Sequence, residues 1–244
     1  MTVAGAVLAL FVGAALQSAT GFGFALVSAP ILFALLGPRE AVTAGAIVGI
    51  LLNSLTLATE HRRPQVLVRD AVALVAWSLP GIVLGVVALR TVPEQPLSVL
   101  VALAVLAGLA LRVRSRSADT LPGSGPRPWH VPVAGVATGA LGTSTSLNGP
   151  PLVFCLLARR ASPSQTRDTL AAIFLAEAAL ALPALLLSDT FTMPRAVALL
   201  LLAGLAGQLL GRRAFGWLEG ERYERAVLGA LALTALVAVA TSIA

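Results

Sequence analysis

The sequence predicts an all-α integral membrane protein made of two inverted-topology repeats, each a re-entrant or short helical hairpin followed by three transmembrane helices. Three observations predict it. Hydrophobic residues make up 57% of the 244-residue chain and charged residues only 11%, with a mean hydropathy of +0.91. A soluble domain carries about 25% charged residues, so this chain has too little polar side chain to cover a water-facing surface. Glycine- and proline-rich stretches interrupt two long apolar runs at matching places, residues 17–30 and 138–151. Finally, every basic residue among the 17 is an arginine, and the arginines fall in the short gaps between apolar runs.

The apolar runs cover residues 3–36, 41–59, 66–89 and 97–111, and then 131–158, 169–187, 196–210 and 226–244. Several approach the roughly 20 residues that a helix needs to cross a bilayer. Between the two sets lies a polar stretch with Arg112, Arg114, Arg116, Pro122, Gly123, Gly125, Pro126 and Pro128. It divides the chain into a first membrane repeat (1–112), a linker (113–130) and a second membrane repeat (131–244). Set 121 positions apart, Pro30-Ile31-Leu32-Phe33-Ala34-Leu35-Leu36 lies over Pro151-Leu152-Val153-Phe154-Cys155-Leu156-Leu157, and Gly21 falls on Gly142. Ala71-Val72-Ala73-Leu74 resembles Ala196-Val197-Ala198-Leu199, and Gly81 and Gly85 align with Gly207 and Gly211. Glycines four apart in a spanning helix let another backbone approach closely, so these four are read as packing positions.

Arginine placement decides the number of crossings. If each interrupted run crossed once, the arginines would divide 8 to 9 between the two sides, which is no bias. If each goes in and comes back, the division is 14 to 3, with Arg39, Arg90 and Arg195 on the poor side. The preference for arginine on the cytoplasmic side selects the second arrangement. The linker is then cytoplasmic and, because three spans follow each hairpin, the second repeat is inverted relative to the first. The hairpin arms are expected to be short: residues 131–141 and 150–158 would each rise roughly 15 Å, about half the hydrocarbon thickness.

Paired Gly/Pro-interrupted segments in corresponding halves point to a transporter's binding site, and non-helical backbone at membrane depth must line a cavity or be buried in protein. The tips span residues 18–23 and 142–149. Gly21, Gly23, Gly142 and Gly149 permit close backbone approach. Thr20, Thr143, Ser144, Thr145, Ser146 and Asn148 supply hydrogen-bond donors without charge. Each returning half-helix, starting near Pro30 or near Pro150 and Pro151, would aim its partially positive N-terminus inward. Two such ends make a neutral site that favours a small oxyanion. Phe22 and Phe24 give the first tip the character of a wall or gate.

Inside the spans, Glu177 is the one acid near a run's centre, a candidate for coupling proton movement to anion movement, or else a helix-packing hydrogen bond. Asn53 sits at nearly equivalent depth in the first half and could line the same cavity, with Gln17 and Gln208 as weaker candidates. Asp168 reads as a helix N-cap and Cys155 as a packing residue. His61 and His130 are far apart and no multi-cysteine cluster exists, so neither a metal site nor a cofactor is expected. An enzyme would need a nucleophile–base pair within the spans, and none is present in the sequence. Nucleic-acid binding is excluded by the arginines' placement at the ends of spans.

Gly21-Phe22-Gly23 followed by Pro30, Gly142-x-Ser144 through Gly149-Pro150-Pro151, Pro80-Gly81-x-x-x-Gly85 and Gly207-x-x-x-Gly211 together resemble the TauE/SafE sulfite exporter family, also called the 4-toluene sulfonate uptake permeases. The resemblance covers essentially the whole chain. It implies a multi-pass protein of the bacterial inner membrane that moves sulfur-containing anions such as sulfite or organosulfonates. An uncoupled channel or facilitator with the same site, or a non-transporting structural subunit, are the alternatives to a secondary transporter. The expected partners are the bilayer and a small inorganic or organosulfur anion, with protons and a second copy of the chain left open.

Overall fold

The computed structural model describes residues 2–20, 23–58, 63–97, 99–101, 103, 106, 129–159 and 161–215, and among these there is helix and no strand. Two hairpins come from the interrupted runs. Helix α1 (Thr2–Thr20) is followed by α2 (Phe24–Leu36), and α5 (His130–Thr145) by α6 (Gly149–Ala158). Further helices follow each: α3 (Pro38–Ala58) and α4 (Val68–Thr91) in the first half, α7 (Pro163–Leu187) and α8 (Val197–Phe215) in the second. Three of these, Pro38–Ala58, Val68–Thr91 and Ser164–Leu187, are long and apolar enough to cross a bilayer. The linker expected at 113–130 and the last spans expected at 97–111 and 226–244 lie largely outside the described residues.

In the first hairpin the returning arm runs against the outgoing one. A side chain on Gly5 would meet Leu35, and one on Gly13 would meet the backbone of Phe24, so the order of contacts along α1 reverses along α2. The arms are unequal. Helices α1 and α5 hold 19 and 16 residues, roughly 28 and 24 Å long, whereas the 13 and 10 residues of α2 and α6 rise roughly 20 and 15 Å. The outgoing arms are therefore longer than the expected half-membrane pieces, because Thr143, Ser144 and Thr145 remain helical: their hydroxyls fold back onto the carbonyls of Gly139, Ala140 and Leu141. Such back-bonding satisfies a hydroxyl inside a helix that would otherwise end there.

Boundaries repeat at a spacing different from the sequence overlay. Thr20 and Thr145, Phe24 and Gly149, and Pro38 and Pro163 are each 125 positions apart. At this register Pro30 does not begin a half-helix. It lies inside α2, which starts at Phe24 behind Gly23, whereas Pro150 and Pro151 do occupy the first turn of α6. Matching the prolines at 121 misplaced the tip by four residues, about one helical turn, which keeps the apolar faces aligned and hides the error.

The halves are locked together by exchanged glycine contacts. A methyl on Gly81 would strike the carbonyl of Val136, and one on Gly85 would strike the hydroxyl of Thr143 and the carbonyl of Ala140, so α4 of the first half rides directly on α5 of the second. Reciprocally, Gly207 and Gly211 of α8 receive the backbone of Phe11 and Ala15 and the hydroxyl of Ser18 on α1. Contacts in both pairs advance in the same direction along both chains, so each pair is parallel. The remaining face of α4 carries Val72, Val83 and Val87, all exposed, as expected for a surface against lipid.

Charged groups gather at two opposite ends. At one, the backbone N–H groups of Thr192 and Arg195 donate to Thr43 and Glu40, and Arg39, Arg90 and Glu94 share a recess. At the other, Arg159 pairs with Asp70 at 2.8 Å, and the N–H groups of Gln65 and Leu67 donate to Asp168 and Thr169. Asp168 is therefore not an N-cap. The cap of α7 is Ser162, in a reciprocal capping box with Gln165 and with Pro163 behind it, an arrangement that satisfies two otherwise orphaned N–H groups.

Candidate functional site

Both hairpin tips open onto one cavity of about 70 Å³. On the same measure one water needs about 10–15 Å³, so the space suits a group of a few heavy atoms. It lies at mid-depth, with Gly49 the twelfth of 21 residues in α3, Ile82 the fifteenth of 24 in α4 and Glu177 the fifteenth of 25 in α7. Of the residues expected at the site, Gln17, Gly23, Asn53, Gly142, Thr143, Ser146, Asn148, Gly149 and Glu177 line this cavity. Ser144 and Thr145 do not, and their hydroxyls donate to carbonyls of their own helix. Thr20 ends α1, its side chain lies outside the described part of the structure, and Gly21 and Phe22 lie outside the described residues. Phe24 is a buried wall of the cavity.

The two tips contribute different chemistry. In α2 the first helical hydrogen bond runs from the N–H of Val27 to the carbonyl of Gly23 at 3.1 Å, so the N–H groups of Phe24, Ala25 and Leu26 precede the helical ladder and have no intrahelical acceptor. Gly23 has φ 124° and caps nothing with a side chain, which leaves that helix end open toward the cavity. In α6, by contrast, two of the first three residues are prolines and carry no N–H. Backbone donors therefore come mainly from the first tip, and side-chain donors from the second.

Ser146 sharpens this division. It caps α5 in the left-handed region with φ 61°, and its N–H donates to the carbonyl of Gly142 at 3.1 Å. Glycine would adopt that conformation without cost, whereas a serine there costs on the order of 1 kcal/mol. The hydroxyl that accompanies this cost is buried and has no hydrogen-bond partner in the protein, and it faces the cavity beside Gly45.

Each half also sends a polar bond from its hairpin to its first spanning helix. In the first half the amide of Gln17 donates to Asn53 at 2.9 Å, and Asn53 donates onward to the carbonyl of Gly49 at 2.7 Å. In the second half Glu177 Oε2 accepts from Asn148 Nδ2 at 2.9 Å and lies 3.3 Å from the hydroxyl of Thr138. That hydroxyl is closer to the carbonyl of Asn148, at 2.8 Å. Gln208 lies outside the cavity and donates to Thr56 at 2.9 Å.

Sequence reading missed Thr138, Gly45, Gly49, Gly139 and Phe174 on the cavity wall. Gly45, Gly49 and Asn53 recur every four residues, one face of α3, and that spacing was the available signal. Thr138 carried none, because a single threonine in an apolar run is ordinary.

The family model for the sulfite exporter TauE/SafE matches residues 6–238, which takes in most of α1 and all of α2 to α8. No curated protein and no solved structure matches the chain. A match of that length over this hairpin-based helical fold leaves one assignment: the chain belongs to the sulfite exporter TauE/SafE family and is a membrane transporter, not an enzyme.

Proposed function

We propose that the protein is a secondary transporter of small sulfur-containing oxyanions, such as sulfite or organosulfonates, in the bacterial inner membrane. The anion sits at mid-membrane between the two hairpin tips, and one repeat rocks against the other to expose it alternately to each side. The observation that carries this reading is the cavity wall. It combines the open N-terminus of α2, the unpartnered hydroxyl of Ser146 and the amide of Asn148, and it includes no arginine, lysine or histidine. Helix ends and neutral donors hold an anion without the permanent charge that would retain it. A transported ligand must also leave.

The inverted arrangement is supported by helix direction. If α1 enters from outside and α5 from inside, then α8 must run with α1 and α4 with α5, and the exchanged glycine contacts advance in those senses. Arg39, Arg90 and Arg195 then share the outer end. On a Cys155→Ala background, a cysteine at Arg39 is expected to react with an impermeant maleimide from outside, and one at Arg160 only after permeabilisation. The opposite pattern, or both on one side, overturns the inversion.

In proteoliposomes the purified protein is expected to take up at least one of sulfite, thiosulfate, methanesulfonate or sulfoacetate at well over ten times the rate of empty liposomes. Absence of specific flux for every oxyanion, in either direction and under every gradient, would falsify the anion reading.

A further inference from the structure

Resting on that anion reading, the cavity leaves one titratable group whose chemistry is unfinished. Glu177 is 4% exposed. Its Oε2 holds the donor hydrogen bond of Asn148, while its Oε1 is buried with no partner in the protein. The nearby hydroxyl of Thr138 has a single hydrogen and a closer acceptor in the carbonyl of Asn148. Glu177 lines the cavity, with one carboxyl oxygen served by the protein and the other buried at that wall without a partner.

Among the described residues no other titratable group lines that wall. The neighbouring helices present Gly45, Gly49 and Asn53 from α3, Ile82 from α4, Thr138 and Thr143 from α5, and Gly149 from α6. Their charged groups sit toward the helix ends: Arg39 and Glu40 on α3, Arg69, Asp70 and Arg90 on α4, His130 on α5, Arg159 on α6. Cys155 lies one turn before Arg159, and Arg167 and Asp168 lie more than two turns before Glu177 on α7 itself. At the equivalent place in the first half, Gln17 and Asn53 form a satisfied amide pair that carries no proton to exchange.

We infer that Glu177 is a switchable ligand of the anion: it must carry a proton on Oε1 for the anion to bind, so each anion crosses with one proton and the cavity prefers monoanions to dianions. Protonated, Oε1 becomes a hydrogen-bond donor aimed at the site, alongside the hydroxyl of Ser146. Ionised, it confronts the substrate as a like charge. At about 4 Å and an effective dielectric constant of about 20, that repulsion suppresses binding roughly a thousandfold. The proton arrives from water on the side where the anion enters and returns to water where the anion leaves, so the pair moves without net charge. A dianion with a single proton would leave one uncompensated charge in a wall that has no cation, which is costly.

Methanesulfonate is the suitable probe, since it stays a monoanion across the accessible pH range, with sulfate as the dianion. Wild-type proteoliposomes are expected to accumulate methanesulfonate when the outside is acid and to alkalinise the external medium by one proton per anion. Potassium diffusion potentials of either sign should change the rate less than twofold. Sulfate should compete at least tenfold more weakly. In Glu177→Gln, uphill accumulation should be lost and the pH dependence of calorimetric methanesulfonate binding should flatten.

Potential-driven uptake without proton movement overturns the inference, and so does undiminished acid-driven accumulation in the variant. If Glu177→Gln does not fold, the proton stoichiometry and potential independence of the wild type decide the matter. If methanesulfonate is not carried, the same measurements on whichever oxyanion is carried do so. Wild-type protein that moves no oxyanion at all sinks the underlying transport reading instead, and a carrier that moves oxyanions without protons leaves that reading standing.

Discussion

Gly81→Val is expected to lower the thermal unfolding midpoint in detergent by roughly 2–12 °C, on the basis of about 1–3 kcal/mol for overpacking and the usual slope for a chain of this size, and to abolish transport. A Cβ there would collide with the carbonyl of Val136 and the backbone nitrogen of Ala140. Neither is the end of a flexible side chain, so α4 and α5 must separate along their contact. Because α5 also carries Thr138, Thr143 and Ser146 onto the cavity wall, a shift of this helix displaces that wall as well as weakening the fold. Gly207→Val should act the same way on α8 and α1, where the carbonyl of Phe11 stands in the path. Gly49→Ala is the control. Its new methyl meets nothing closer than the Asn53 amide at 3.9 Å, and alanine favours helix over glycine, so the midpoint should hold or rise. Unfolding curves by intrinsic fluorescence check all three. A Gly81→Val protein as stable as wild type would mean that the glycine contact does not hold the halves together.

Asn148→Ala is expected to raise the half-saturation concentration for the transported anion by about 5–150-fold, which corresponds to about 1–3 kcal/mol for a buried group left unpaired. The amide donates to Glu177 Oε2 at 2.9 Å, so its loss leaves both carboxyl oxygens unsupported. It also removes a neutral donor from the cavity wall, next to Gly142. Thr145→Ala should change the same constant less than twofold, since the Thr145 hydroxyl donates to the carbonyl of Leu141 and does not reach the cavity. The two residues lie three apart in the same tip and look equally apt by composition. Concentration-dependent uptake in proteoliposomes separates them, and equal effects would mean that the site is not the cavity described.

How far the site can be read from sequence follows from what each residue contributes. Arg39, Arg90 and Arg195 were grouped together by counting alone, and they do meet at one end of the bundle. Charge distribution across a membrane is a property of the chain's order and needs no knowledge of packing. Gly81, Gly85, Gly207 and Gly211 were recognised as packing positions for a similar reason: four-residue spacing puts small residues on one helix face whatever the partner. The partner itself was not legible. Each glycine pair receives the outgoing hairpin arm of the other half, and nothing local in α4 or α8 names α5 or α1 as the helix to be met.

Within the tips the boundary falls at individual hydroxyls. Thr143, Ser144, Thr145 and Ser146 form one polar run in the sequence, yet Ser146 alone keeps a buried, unpartnered oxygen toward the cavity. Helix geometry turns successive residues by about 100°, and a chain still helical at Thr145 directs its hydroxyls back to carbonyls one turn earlier. Where the helix ends is set by the left-handed cap at Ser146, which composition does not reveal. Likewise Pro30 and Pro151 look alike in sequence but occupy the interior of α2 and the first turn of α6.

By itself, then, the sequence determined that this chain lives in a membrane, that glycine-rich breaks interrupt two of its apolar runs, and that Glu177 is an acid out of place among apolar residues. Those properties are sums over composition, spacing and order. Only the tertiary structure decided that the halves align at 125 positions, that the first tip brings backbone N–H groups and the second brings side chains, and that one oxygen of Glu177 is held while the other is free. Such facts depend on which atoms meet across helices far apart in the chain, and in a wall of neutral residues a single hydrogen bond made or left unmade sets the role of each group.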